Sequence, residues 1–182
     1  MNKPFHARRL DVAAFAQAGA SLSGRDPLQK YERLAQELRR PEADSTIEWQ
    51  AQGEHRAAAD GSVRPALHLR ASVALPLTCQ RCMGEVIEPV AVDRHIVFAP
   101  DEDTAAALDD ASDDDVLALT PDLDLQALIE DELLMALPLV ARHDTCPEAV
   151  PLFAQDAAFD DALQEKVNPF AALAALKGGK PN

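Results

Sequence analysis

From residue 45 to residue 98, apolar and polar side chains alternate with a period of two. Ile47, Trp49 and Ala51 are spaced by Glu48 and Gln50. After the turn signal Asp60-Gly61-Ser62, Leu67, Leu69, Ala71, Val73, Leu75 and Leu77 share one face of a longer strand. Met83-Gly84 turns the chain again, and Val90, Val92, Ile96 and Phe98 keep the alternation. Strands joined by short turns, each with one polar face, predict an antiparallel sheet rather than a βαβ fold.

Helical spacing flanks this region. Asp11 is placed to cap a helix over 12–18 that Gly19 ends. Asp26-Pro27 reads as an N-cap followed by N1. It opens a helix with Leu28, Tyr31, Leu34, Ala35 and Leu38 on one stripe, and Lys30, Arg33, Glu37 and Arg40 on a face read as solvated. Residues 116–119 predict a short apolar strand. Residues 122–137 give the strongest helix, with the stripe Leu125, Leu128, Ile129, Leu133 and Ala136 and a stop at Pro138. Within it Glu130, Asp131 and Glu132 point in different directions, because adjacent helical residues do not share a face. That argues against paired-carboxylate catalysis and for a solvated or partner-facing surface.

Residues 99–115 set aspartate runs around an alanine-rich spacer and predict an acidic mobile loop. Residues 147–166 are acidic and weakly patterned. Asn168-Pro169 then starts a helix over 170–176, with Phe170, Leu173 and Leu176 on one side. A helix that short must dock on something, either its own core or a partner. The expected class is α+β: an antiparallel β-sheet flanked by a few helices. The expected organisation is one domain over 1–182, with its core at about 26–146 and 147–182 as an acidic linker and short C-terminal helix.

Charge sharpens the choice of partners. The net charge is −14, and residues 99–165 hold nineteen acidic residues against a single basic one, Arg142. Such a chain lacks a broad phosphate footprint. Direct RNA contact would fall to Arg8, Arg9, Arg33, Arg39, Arg40 and Lys177, whereas the acidic middle suits a basic partner. No apolar run approaches the ~20 residues of a membrane span, and the N-terminus lacks an apolar leader. Three cysteines do not make a disulfide framework, so the reducing cytoplasm is the expected compartment.

All three cysteines fall in two short segments, Cys79-Gln80-Arg81-Cys82 and His143-Asp144-Thr145-Cys146. Two ligand pairs at this spacing are what a tetrahedral structural zinc site requires. Metal-free structural cysteines and a redox pair are the competing readings. His6, His55, His68 and His95 lack ligand-spaced partners and read as structural or surface residues. There is no Gly-rich phosphate loop and no G-x-S-x-G elbow, so the chain is not expected to be an enzyme.

Three ordered segments resemble the YceD family, the large ribosomal RNA subunit accumulation proteins of bacteria and plastids. They are Leu77-Thr78-Cys79-Gln80-Arg81-Cys82 after a strand, the run over 116–138 followed by His143-Asp144, and the tail Asn168-Pro169-Phe170-Ala171-Ala172-Leu173. The likeness spans about 26–177. It implies a non-enzymatic ribosome-biogenesis factor supporting accumulation or processing of large-subunit (23S) rRNA. Such a factor would act as an adaptor or chaperone for a basic ribosomal protein or an rRNA-processing factor, and contact rRNA directly or indirectly. The alternative is a direct RNA-binding module with a small structural zinc knuckle. Many relatives carry a second cysteine cluster with Gly and Pro after the helix; here only His143 and Cys146 remain. Partner-facing candidates are Glu130, Asp131, Glu132, Asn168, Pro169 and Phe170.

Overall fold

The computed structural model describes residues 5–40, 44–58, 60–112 and 114–148. The chain divides into a unit Met1–Cys146 and a unit Pro147–Asn182, and every element below belongs to the first. The expected linker and the tail helix with Asn168, Pro169 and Phe170 lie outside the described residues.

The first unit is α+β. In chain order it contains α1 (Val12–Gln17), β1 (Ser21–Pro27), a 3-10 turn (Leu28–Lys30), α2 (Glu32–Gln36), β2 (Thr46–Ala57) and β3 (Val63–Thr78). Then follow β4 (Glu85–Ala99), α3 (Glu102–Asp109), β5 (Asp115–Ala118) and α4 (Leu125–Met135). The five strands lie in sequence order across one sheet. β1 to β4 pair antiparallel; the alternation predicts this for β2 to β4 but does not predict β1. β5 pairs parallel with β4, so β4–α3–β5 is a helical crossover that the antiparallel reading excluded.

One face of the sheet carries the main core. Leu67, Leu69, Ala71, Val73, Leu75 and Leu77 of β3 are all buried, with Ile47 and Ala51 of β2 and Val86, Val90, Val92, Ile96 and Phe98 of β4. Against them pack Leu10, Val12 and Phe15, then Leu28, Tyr31 and Leu34, and from α4 Leu125, Ile129 and Leu133. Each fully buried leucine is worth about 1.5–3 kcal/mol over its exposed state, so the period-two stripe is the main source of stability. Contact between α1 and β2 is close. A Cβ on Gly53 would sit 2.5 Å from the backbone oxygen of Phe15, so this position needs glycine to let the helix end cross the strand.

Three expectations are corrected. Asp26-Pro27 does not open a helix; it ends the edge strand β1, and the helical stripe splits into the 3-10 turn and α2. The Asp26 side chain is engaged elsewhere. It accepts from Trp49 Nε1 at 2.7 Å, from the Tyr31 hydroxyl at 3.3 Å and from Lys30 Nζ at 2.6 Å. Burial alone would raise its pKa, but the donors Lys30 and Trp49 outweigh that and hold it below the usual carboxylate value. Second, the acidic segment 99–115 is not irregular throughout. Asp101 caps α3 by accepting from Thr104 N at 2.8 Å, and Ala105 and Leu108 are buried with Ala66, Val97, Ala99 and Val116 on the sheet's other face. Third, Ala136 is exposed rather than part of the α4 stripe. The α1 expectation stands: Asp11 accepts from Ala14 N at 3.0 Å, and Gly19 turns the chain with φ of 54°. Among the described residues no helix is long and apolar enough to cross a membrane.

Candidate metal centre

The β3–β4 hairpin ends in the C-x-x-C. Cys79 N–H donates to Gly84 O at 2.8 Å and Met83 N–H to Cys79 O at 2.9 Å, closing a tight knuckle. Met83 takes the left-handed region at φ of 59°, a conformation that costs a non-glycine residue roughly 1–2 kcal/mol. Gly84 keeps the interior open, since a Cβ there would lie 3.3 Å from Cys82 Sγ. The chain leaving α4 returns alongside: Gln80 N–H donates to Ala141 O at 2.9 Å, which brings 143–146 over the knuckle. Arg39 also donates to the Met83 carbonyl.

The two segments converge. Cys79, Cys82, His143 and Cys146 each place one donor atom within 4.8 Å of the others, and Cys82 Sγ lies 3.5 Å from His143 Nδ1. With metal–sulfur and metal–nitrogen bonds near 2.3 and 2.0–2.1 Å, a tetrahedron places those two atoms about 3.6 Å apart. The cluster therefore has the donor set and spacing to hold a metal ion. Cys79 is buried, and Cys82 and Cys146 are half-buried. Burial pushes the Cys79 thiol up, but backbone N–H groups of Cys82, His143 and Arg81 outweigh it and bring it down to about 5. Burial and then the neighbouring Cys82 and Cys79 push the Cys146 thiol up. A nearby cation would oppose the upward push on Cys146, because it favours the thiolate.

The acidic triplet on α4 is not the exposed surface expected from its sequence. Glu130 and Glu132 are 8% and 5% exposed. The Glu130 carboxylate caps α2 from another helix: Oε1 accepts from Arg33 N at 2.8 Å and Leu34 N at 3.1 Å. Its Oε2 accepts from Arg33 Nε at 3.1 Å and Nη2 at 3.0 Å. Tyr31, at the N-cap position of α2, makes no side-chain cap, so Glu130 supplies the missing acceptor. Glu132 is held above its ordinary pKa by burial and then by Asp115, with Arg94 opposing from 3.7 Å. Asp131 alone stays half exposed, paired with Arg33 Nη1 at 2.6 Å. The helix lies between α2 and the sheet, so residues on either side of its apolar stripe are covered as well.

The basic N-terminal block is largely engaged within the fold. Arg8 donates to Gln126 at 3.0 Å, Arg9 pairs with Asp122 at 3.1 Å and Arg40 with Glu85 at 2.7 Å. Lys177 lies outside the described residues.

Sequence spacing missed one constellation. His68 and His95 do have partners, because β3 and β4 set them directly opposite each other. Their only linear signal is that Asp93 and His95 are two residues apart on one strand face.

Residues 67–177 match the family model described as large ribosomal RNA subunit accumulation protein YceD. A curated protein of that name from Haemophilus influenzae is 44% identical over 59 residues, which are 31% of this chain and 33% of that protein. The aligned region thus spans one third of that relative's length. No solved structure matches. The matched span of the family model covers β3 from Leu67 onward, the knuckle, α4 and the returning segment, and the chain belongs to the YceD family of large ribosomal RNA subunit accumulation proteins.

Proposed function

We propose that this chain is a non-enzymatic factor that supports accumulation of large-subunit rRNA, acting as an adaptor for a basic ribosomal or rRNA-processing partner. The family match over 67–177 carries this reading. Two features of the molecule favour an adaptor over an RNA binder. Nineteen acidic residues between 99 and 165 offer charge to a basic protein, and Arg8, Arg9, Arg33 and Arg40 are already bonded to acidic or amide side chains. Asp131 and the tail residues Asn168, Pro169 and Phe170 are the partner-facing candidates that remain. Deleting the gene should lower mature large-subunit rRNA relative to small-subunit rRNA, while pure protein leaves precursor RNA uncut. Balanced rRNA in the deletion strain, or cleavage by the pure protein, overturns the proposal.

In this reading Cys79, Cys82, His143 and Cys146 hold a structural zinc that pins the segment after α4 to the β3–β4 hairpin. Three protein thiolates and an imidazole fill a tetrahedron and leave no open position for catalysis. Protein purified without chelator should carry close to one equivalent, and Cys82→Ser should lose it with a marked fall in thermal stability. Metal analysis that finds none refutes the site. A direct RNA contact has one observation in its favour: Arg81 and Arg142, beside the cluster, are exposed and make no ion pair among the described residues. An RNA affinity falling steeply with salt and weakened by Arg81→Ala would select that reading.

A further inference from the structure

On the sheet face turned away from the main core, β3 and β4 assemble a second group of donor atoms. His68 and His95 are register partners, and their rings stack at 4.0 Å with planes 19° apart. Asp93 emerges on the same face, two residues before His95. Its Oδ1 lies 2.5 Å from His68 Nε2, and its Oδ2 lies 3.3 Å from Arg70 Nε. Glu54, on the neighbouring strand β2, places Oε1 at 2.7 Å from His95 Nδ1. One donor atom from each of His68, Asp93 and His95 lies within 4.8 Å of the other two.

The outer contacts set up the inner ones. A proton on His95 Nδ1, shared with Glu54, leaves Nε2 as the free lone pair; metal-binding histidines are oriented by a carboxylate in this way. Arg70 holds the far oxygen of Asp93 and leaves Oδ1 beside the rings. The two imidazoles are mostly shielded, with side chains 16% and 31% exposed, whereas Asp93 is 64% exposed. Three donors therefore stand on two rigid paired strands, and one side is open to solvent. We propose that His68, His95 and Asp93 form a second metal site, separate from the cysteine cluster, for a first-row divalent transition metal with open positions for outside ligands.

The donor set selects the metal class. Two imidazoles and one carboxylate suit zinc, cobalt, nickel or ferrous iron, while magnesium and calcium prefer all-oxygen surroundings. Metal–nitrogen bonds of 2.0–2.1 Å put two adjacent nitrogens about 3.0–3.4 Å apart. With ring centroids 4.0 Å apart, a tilt that brings one nitrogen of each ring together reaches that spacing, and the proton shared by His68 and Asp93 leaves as the ion arrives. Arg70 and Arg56, which lies 3.7 Å from Glu54, offset the two carboxylates, so coordination rather than net charge supplies the affinity.

The test uses full-length protein preloaded with one equivalent of zinc and titrated with cobalt(II), followed by calorimetry and by NMR of the histidine ring protons. One further equivalent should bind, shift the His68 and His95 signals and develop no thiolate-to-cobalt charge-transfer band. Glu54→Gln keeps all three ligands and should weaken uptake about 10–100-fold. His68→Gln combined with His95→Gln should abolish uptake, while His55→Gln on β2 leaves it unchanged. The proposal is overturned if no further equivalent binds, if Glu54→Gln and the double variant bind as the parent does, or if the perturbed signals belong to other histidines. Failure of the cysteine cluster to hold zinc would read differently, as no zinc retained at the cysteines of the preloaded protein with cobalt uptake at the histidines intact.

Discussion

The carboxylate of Glu130 reaches from α4 to the start of α2, and its removal makes a sharp test of the packing. Glu130→Ala deletes an acceptor that serves two backbone N–H groups and a guanidinium. Losing a helix cap costs about 0.5–2 kcal/mol, and a hydrogen bond to a charged group contributes about 1.5–3 kcal/mol. Arg33 is half exposed, so its share is close to that of a surface ion pair, about 0–1 kcal/mol. The cap and charged-bond ranges describe the same two backbone bonds and overlap at about 1.5–2 kcal/mol. With the ion-pair share, Glu130→Ala should cost about 1.5–3 kcal/mol, or a fall in Tm of roughly 3–12 °C for a chain of this size. Glu130→Gln keeps an oxygen for the two N–H groups and should cost about 1 kcal/mol, near the cost of Arg33→Ala. Urea unfolding followed by far-UV circular dichroism, at constant zinc, measures all three. If Glu130→Ala costs no more than Arg33→Ala, the backbone bonds contribute nothing and the capping argument is wrong. The result also governs functional work: reversing charge across 130–132 would disturb the fold before it reported on a partner.

Three further outcomes follow from the geometry. Gly53→Ala drives a Cβ into the Phe15 carbonyl and should destabilise by at least about 1–3 kcal/mol; an unchanged urea midpoint would refute the close crossing of α1 over β2. Met83→Gly relieves the left-handed backbone at the knuckle and should stabilise by about 0.5–1 kcal/mol, so a loss of stability would count against that conformation. Asp26 has its folded pKa below the unfolded value near ~3.9, so its contribution is complete above that pH and is lost as pH falls through the folded value. Acid unfolding of Asp26→Asn should therefore be flatter below about pH 4 than that of the parent, and superimposable curves would refute the role given to Lys30 and Trp49.

What the sequence revealed depended on whether the signal was periodic. β3 and β4 were legible because burial on one face writes itself as a period of two, and α4 because its stripe, N-terminal aspartates and Pro138 agree. The cysteine cluster was legible from matching spacings alone. β1 was not, since Leu22 is its one large apolar side chain and an edge strand needs little burial. α3 was masked by its charge; two side chains, Ala105 and Leu108, suffice to seat it against Val97 and Val116. Glu130 looked exposed because single-helix geometry cannot show that a second helix covers it. The His68–His95 pairing depends on strand register, which no linear spacing encodes.

The knuckle joins parts of the chain that are made at different times. Cys82 and His143 are 61 positions apart, and between them lie β4, α3, β5 and α4. A metal ion held at this corner would close a loop of that length and remove about 4 kcal/mol of conformational freedom from the unfolded chain. The corner also cannot close until Cys146 has been synthesised, whereas the β3–β4 hairpin is complete at Ala99. During translation the protein must therefore pass through a stage at which both strands of the hairpin have been made and the corner is still open. A metal ion bound at that corner would lock it late, and would make the finished first unit distinguishable from every shorter nascent chain.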